Sequence, residues 1–96
     1  MAYRVTGKKL EAKVKSLNEW LGYTDGAWIK ENDKYRAVIG AYVLDQAYGG
    51  YRLSQMVSDG GGEREITMRN SAAITMELIS AYWQGMMEGE KIALKP

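Results

Sequence analysis

The stretch YRAVIGAYVLDQAYGGYRLSQMV, residues 35–57, decides the fold. Residues 35–44 are rich in β-branched and aromatic side chains, which suit a pleated strand. Alternation puts Tyr35, Ala37, Ile39, Ala41 and Val43 on one face, and Arg36, Val38, Gly40, Tyr42 and Leu44 on the other. Both faces are largely apolar, so this strand is either covered on two sides or used in assembly. Gly49 and Gly50 tolerate positive φ and close backbone approach, which predicts a tight reversal between a strand ending near Leu44 and a segment beginning at Tyr51. In that segment the spacing of Leu53, Met56 and Val57 fits a third strand or one turn of helix equally.

Upstream, "YTDG" and "KEND" flank a short "AWIK", predicting a strand over 27–30 and a hairpin turn through 31–34. Residues 8–21 carry Leu10, Val14, Leu17 and Leu21 at spacings of four, three and four, the stripe of an amphipathic helix. Thr6 suits its N-cap and Gly22 its stop. Downstream, "SDGGGE" leads to "REITM", read as a short strand over 64–68. Asn70 or Ser71 caps a second helix over 71–87, stopped near Gly89, with 90–96 as a mobile tail. The apolar rows Ile74–Leu78–Tyr82–Met86 and Met76–Ile79–Trp83–Met87 cover a wide arc of this helix. The expected fold is α+β: one two-layer domain over 1–96, with an N-terminal helix, a small antiparallel sheet of three to four strands within 27–68, and a C-terminal helix.

The chain has no Cys and no His, which removes thiol nucleophiles, imidazole bases and the usual transition-metal ligands together. The carboxylates near the glycines, Asp45, Asp59, Glu63 and Glu65, have no dyad or calcium-loop spacing. We therefore expect no enzyme, no catalytic residue, no metal and no cofactor. A net charge of +1 is far from the basic excess of a non-specific DNA binder. There is no apolar run long enough for a membrane span and no apolar h-region behind the early lysines, so the chain reads as cytoplasmic. Seven Tyr and three Trp against no Phe favour an amphipathic binding surface.

Candidate ligand-binding residues follow from the glycine clusters. Tyr48 and Tyr51 offer a stacking platform beside the open backbone of Gly49 and Gly50, and Arg52 offers a phosphate-directed fork. Gly60, Gly61 and Gly62 lack the spacing of a phosphate loop, but Arg64 and Arg69 stand near enough in sequence to meet an anion beside them. Tyr82, Trp83, Met86 and Met87 are the candidate homo-oligomer interface.

Gly40, Tyr42, Leu44, Ala47, Tyr48, Gly49, Gly50, Leu53, Met56, Val57 and Gly60–Gly62 form the pattern G-x-Y-x-L-x-x-A-Y-G-G-x-x-L-x-x-M-V-x-x-G-G-G. With "LNEWLG" and "AYWQGM", this resembles a family of small accessory proteins encoded by tailed phages and prophages. The family brings no established catalytic residues, and the resemblance implies a phage accessory role in a host cell, counter-defence included. The leading expectation is a homo-oligomer that sequesters a nucleotide-like or phosphorylated ligand, or blocks a host defence protein. Two alternatives are a nucleic-acid-binding module using Arg4, Lys8, Lys9, Lys13, Lys15 and Trp20, and a virion or assembly component.

Overall fold

Residues 4–94 are described in the computed structural model. Thr6 opens α1 (Gly7–Trp20): its backbone is extended, and its side-chain oxygen accepts the N–H of Lys9 at 3.3 Å. At the other end Gly22 takes φ +95°. There the N–H groups of Gly22 and Tyr23 donate to the carbonyls of Glu19 and Asn18 at 3.0 and 2.8 Å, a closure that needs a residue free to turn left-handed. Leu10, Val14 and Leu17 are buried as their spacing predicts. Leu21 lies just past the helix and stays exposed.

Strands β1 (Trp28–Glu31) and β2 (Lys34–Ala37) form an antiparallel hairpin. Its turn, Asn32-Asp33, holds φ values of 52° and 63°, a left-handed pair that short polar side chains tolerate. The run read as one strand over 35–44 is then broken. Gly40 takes φ +95°, and a β-carbon there would collide with the hydroxyl of Tyr23. Around it the Ala41 N–H donates to Val38 O at 3.1 Å, and the Gly40 N–H to Met56 O at 2.9 Å. The ladder therefore ends at Ala37 and restarts as β3 (Tyr42–Ala47) in a second sheet.

That second sheet has the order β3-β4-β5, all antiparallel, with β4 (Gly50–Met56) in the middle and β5 (Glu63–Glu65) at one edge. Residues 51–57 are thus predominantly strand, and the helix-like spacing of Leu53 and Met56 has another meaning. Leu53 points to the helices and Met56 to the opposite face. The expected strand over 64–68 is shorter because the chain bulges after Glu65: the Ile66 and Thr67 N–H groups both donate to Leu53 O, at 2.9 and 3.2 Å. Pairing resumes once, between Tyr51 and Asn70.

Helix α2 (Ala72–Leu94) begins after Ser71, whose hydroxyl accepts the Ile74 N–H at 3.4 Å. It runs through Gly85 and Gly89, so the helix does not stop near Gly89 and residues 90–94 are not a free tail. A glycine inside a helix costs only about 1 kcal/mol, and the surrounding Met, Glu, Lys, Ala and Leu are good helix formers. The rest of the expected tail, residues 95–96, lies outside the described residues.

One core joins Leu10, Val14, Leu17, Tyr42, Leu53 and Ile79 between the helices and the three-stranded sheet. A smaller one, Ala27, Ala37, Ala41 and Met56 with Val43 beside it, lies on the sheet's other face under the first hairpin. The two apolar faces expected of 35–44 are therefore both covered, but by residues on either side of a break.

Asn18 fixes α1 to the sheet. It is 4% exposed; its Oδ1 accepts the Tyr42 N–H at 2.7 Å and its Nδ2 donates to Tyr42 O at 2.9 Å. The Tyr42 phenol in turn meets the Tyr82 hydroxyl at 2.8 Å, joining β3 to α2. Burial first, and that hydrogen bond second, hold the Tyr42 pKa above its ordinary value.

Two outcomes follow. Asn18→Leu keeps the size of the side chain but leaves buried main-chain groups unpaired, and it should lower the free energy of urea unfolding by about 2–4 kcal/mol. The stability carried by the Tyr42 phenol is complete below the ordinary tyrosine pKa of about 10 and is lost as pH rises above it, because only the unfolded chain gives up that proton readily. Tyr42→Phe should flatten the fall of stability measured above about pH 10.

Candidate functional site

The β3–β4 hairpin turns on Tyr48 and Gly49, with φ of 52° and 74°, and closes with the pair Ala47 and Gly50. Two left-handed residues in a two-residue loop make a type I′ turn, which suits the twist of the flanking strands. Gly50 is therefore the first residue of β4. Its missing side chain serves a close approach instead, since a β-carbon there would lie 2.8 Å from Arg69 Cγ. Tyr48 is 100% exposed at the tip. Tyr51 faces the opposite way from Arg52, packs against the helix-side core and reaches Gly7.

The arginines expected to grip an anion converge on Asp45. Arg52 Nη2 lies 2.5 Å from Asp45 Oδ2 and its Nη1 is 3.2 Å from Glu65 Oε2. Arg69 Nη2 reaches the same Asp45 oxygen at 2.9 Å. Its Nη1 donates to the carbonyls of Ala47 and Gly50 at 3.2 and 3.3 Å. Two guanidinium groups thus meet two carboxylates in a balanced lattice that ties the residues after β5 to the base of the hairpin. Each partly exposed ion pair contributes little by itself; the main-chain bonds of Arg69 give the arrangement its direction.

Gly60, Gly61 and Gly62 lie at the other end of β4, about 20 Å from Gly50 at the rise of a strand. Gly61 takes φ +100°, and Trp28 packs so closely that a β-carbon would stand 2.8 Å from its ring. The loop is closed by the Val57 N–H to Gly62 O at 2.8 Å and the Gly62 N–H to Ser58 Oγ at 2.9 Å. Arg64 donates to Gln55 Oε1 at 2.5 Å. The structure brings Arg52 and Arg69 together at Gly50 and keeps the triple glycine and Arg64 apart from them.

Tyr82, Trp83 and Met86 face inward. Tyr82 and Met86 meet the Tyr42 phenol. Trp83 lies 5.9 Å from Trp20, with the Lys13 ammonium 5.1 Å from its ring. Met87 sits beside them in a shallow pocket with Lys13 and Gln84. Among the described residues Ile74, Leu78 and, at 74% exposure, Met68 remain exposed, as does Trp20 beside Trp83.

A groove of about 670 Å³ opens along the outer edge of β3. One wall is α1, through Glu11, Val14, Lys15 and Asn18; the other is the connection to β1, from Tyr23 to Trp28. Residues 42–46 line it from the sheet. Since Asn18 takes both main-chain groups of Tyr42 on the side away from β4, the two-residue alternation of an antiparallel ladder turns those of Leu44 and Gln46 the same way. Among the described residues these groups have no hydrogen-bond partner. Among the same residues no group of three or more acidic side chains is placed to hold a metal ion.

Sequence reasoning missed this groove because its parts are distant in the chain. One signal was legible: Asn18 stands four residues after Val14, beside the apolar stripe of α1, where a buried amide needs a main-chain partner.

Tyr48 is a bulky residue in a left-handed conformation that costs about 1–2 kcal/mol. Asn occupies this turn position far more readily, so Tyr48→Asn should stabilise the fold by about 1 kcal/mol in thermal or urea unfolding. Comparison of the chain with protein-family models, with curated proteins and with solved structures returns no match.

Proposed function

We propose that this chain is a non-enzymatic binding protein that holds a partner in the groove between α1 and β3. The observation that carries this reading is the free outer edge of β3: the main-chain groups of Leu44 and Gln46 open onto a concavity of about 670 Å³. Leu44 is half-buried and Gln46 exposed, and main-chain groups left open in a groove are the ones an arriving ligand can pair. In this reading the partner is a host protein and blocking it the role, in line with the phage accessory role expected from residues 40–62. Capture of a nucleotide at Tyr48–Arg52 is the weaker reading, because Arg52 and Arg69 already hold Asp45. Binding of nucleic acid by α1 is weaker too: Lys13 lies against Trp83 and the Lys9 ammonium donates to Arg4 O at 2.7 Å, so both are engaged within the chain. A homo-oligomer would form through Met68, Ile74 and Leu78, which remain exposed.

The absence of Cys makes a site-specific probe simple. Lys15→Cys puts one environment-sensitive dye in the groove, and Tyr48→Cys puts it at the hairpin tip. Peptides from host proteins should change the emission of the groove probe and leave the tip probe unchanged. A response of the tip probe alone, to cyclic or linear nucleotides, would move the site to the hairpin.

A further inference from the structure

The geometry points to the ligand class of this groove: an extended, cationic peptide segment of another protein, added to β3 as a further strand. This rests on the groove being the binding site. Asn18 already acts as the first residue of such a strand. Its amide makes with Tyr42 the reciprocal pair of bonds, 2.7 and 2.9 Å, that a neighbouring backbone residue would make. Leu44 and Gln46 repeat the same outward donor and acceptor every second residue, at about 6.8 Å. Only an extended main chain carries complementary groups at that repeat, the mode of recognition by strand addition. Free sheet edges are otherwise shielded by charge, bulge or cover, and among the described residues Asn18 shields the main chain of Tyr42 alone on β3.

The charge of the groove selects the side chains. Glu11, Asp25 and Glu63 line it, exposed and without an ion-pair partner among the described residues, against the single ammonium of Lys15. Asp45, the remaining carboxylate there, is held by Arg52 and Arg69. The groove is thus locally acidic on a chain whose net charge is +1. Such a field favours lysine or arginine and opposes a phosphate. Val43 on its floor, above the buried Met56, and the exposed Trp28 at its end offer apolar contact to the alternate side chains of the same strand.

The probe is a short fluorescent peptide of alternating valine and lysine, compared with an alternating valine and glutamate peptide and with the basic peptide N-methylated at alternate residues. The basic peptide should bind at least about tenfold more tightly than the acidic one, and protect the Leu44 and Gln46 amides from hydrogen exchange. N-methylation in the register that faces β3 should abolish binding. The double change Glu11→Gln with Asp25→Asn, at exposed positions that leave folding intact, should weaken it by about tenfold and reduce its salt dependence. Equal binding of the two charges, or indifference to N-methylation, overturns the inference. If nucleotides rather than peptides move the groove probe at position 15, the cationic strand falls and the groove reading stands. Silence of that probe to every ligand overturns both.

Discussion

The two hydrogen bonds between the Asn18 amide and the Tyr42 main chain organise this molecule. They are buried, so breaking either leaves a donor or acceptor without water, and that asymmetry makes the contact specific as well as stabilising. They set the angle and height of α1 against β3, which lets Leu10, Val14 and Leu17 meet Leu53 and Ile79 in one core. They also set the parity of β3. Once the main-chain groups of Tyr42 face away from β4, those of Leu44 and Gln46 must do so too, and the groove follows from the same constraint that builds the core.

Gly40 is the second organising point. A continuous strand from Tyr35 to Leu44 would need one sheet broad enough to be covered on both faces. The left-handed turn at Gly40 divides it, and each half buries its apolar side in a different way. The alanines at 27, 37 and 41 close tightly on Met56, while Tyr42 and Leu44 turn to the helices. A domain of this size has little apolar surface to spare, and two small cores placed back to back use it on both faces of β3 and β4.

At the hairpin end, electrostatics reverse the role suggested by residue type. Arg52 and Arg69 are residues suited to an anion, yet Asp45, paired across the ladder with Arg52, supplies that anion within the chain. The positive groups are thereby consumed in holding strand to strand. Among the described residues the unpaired charges of the groove are acidic except for Lys15, and the acidic ones lie on α1, the following connection and the start of β5. The balance between held and free charge, rather than composition, gives the groove its sign. No helix among the described residues is long and apolar enough to cross a membrane.

The local features are the ones the sequence settles alone: the Thr6 and Gly22 ends of α1, its apolar stripe, the two reversals near Asp33 and Gly49, and an α+β order with a helix at each terminus. Each depends on residues within one or two turns of one another, where backbone sterics and side-chain period act directly. What tertiary structure decided lies at longer range. Whether 51–57 is a strand depended on Leu53 and Met56 having separate cores to face. The break at Gly40 depended on Tyr23 and Met56 arriving beside it. The fate of Arg52, Arg69 and Trp83 depended on partners up to some seventy residues distant, such as Lys13 for Trp83. The open edge of β3 is a vacancy between α1 and the sheet, and a vacancy has no residue of its own to announce it, because it exists only once packing has used the other hydrogen-bonding groups.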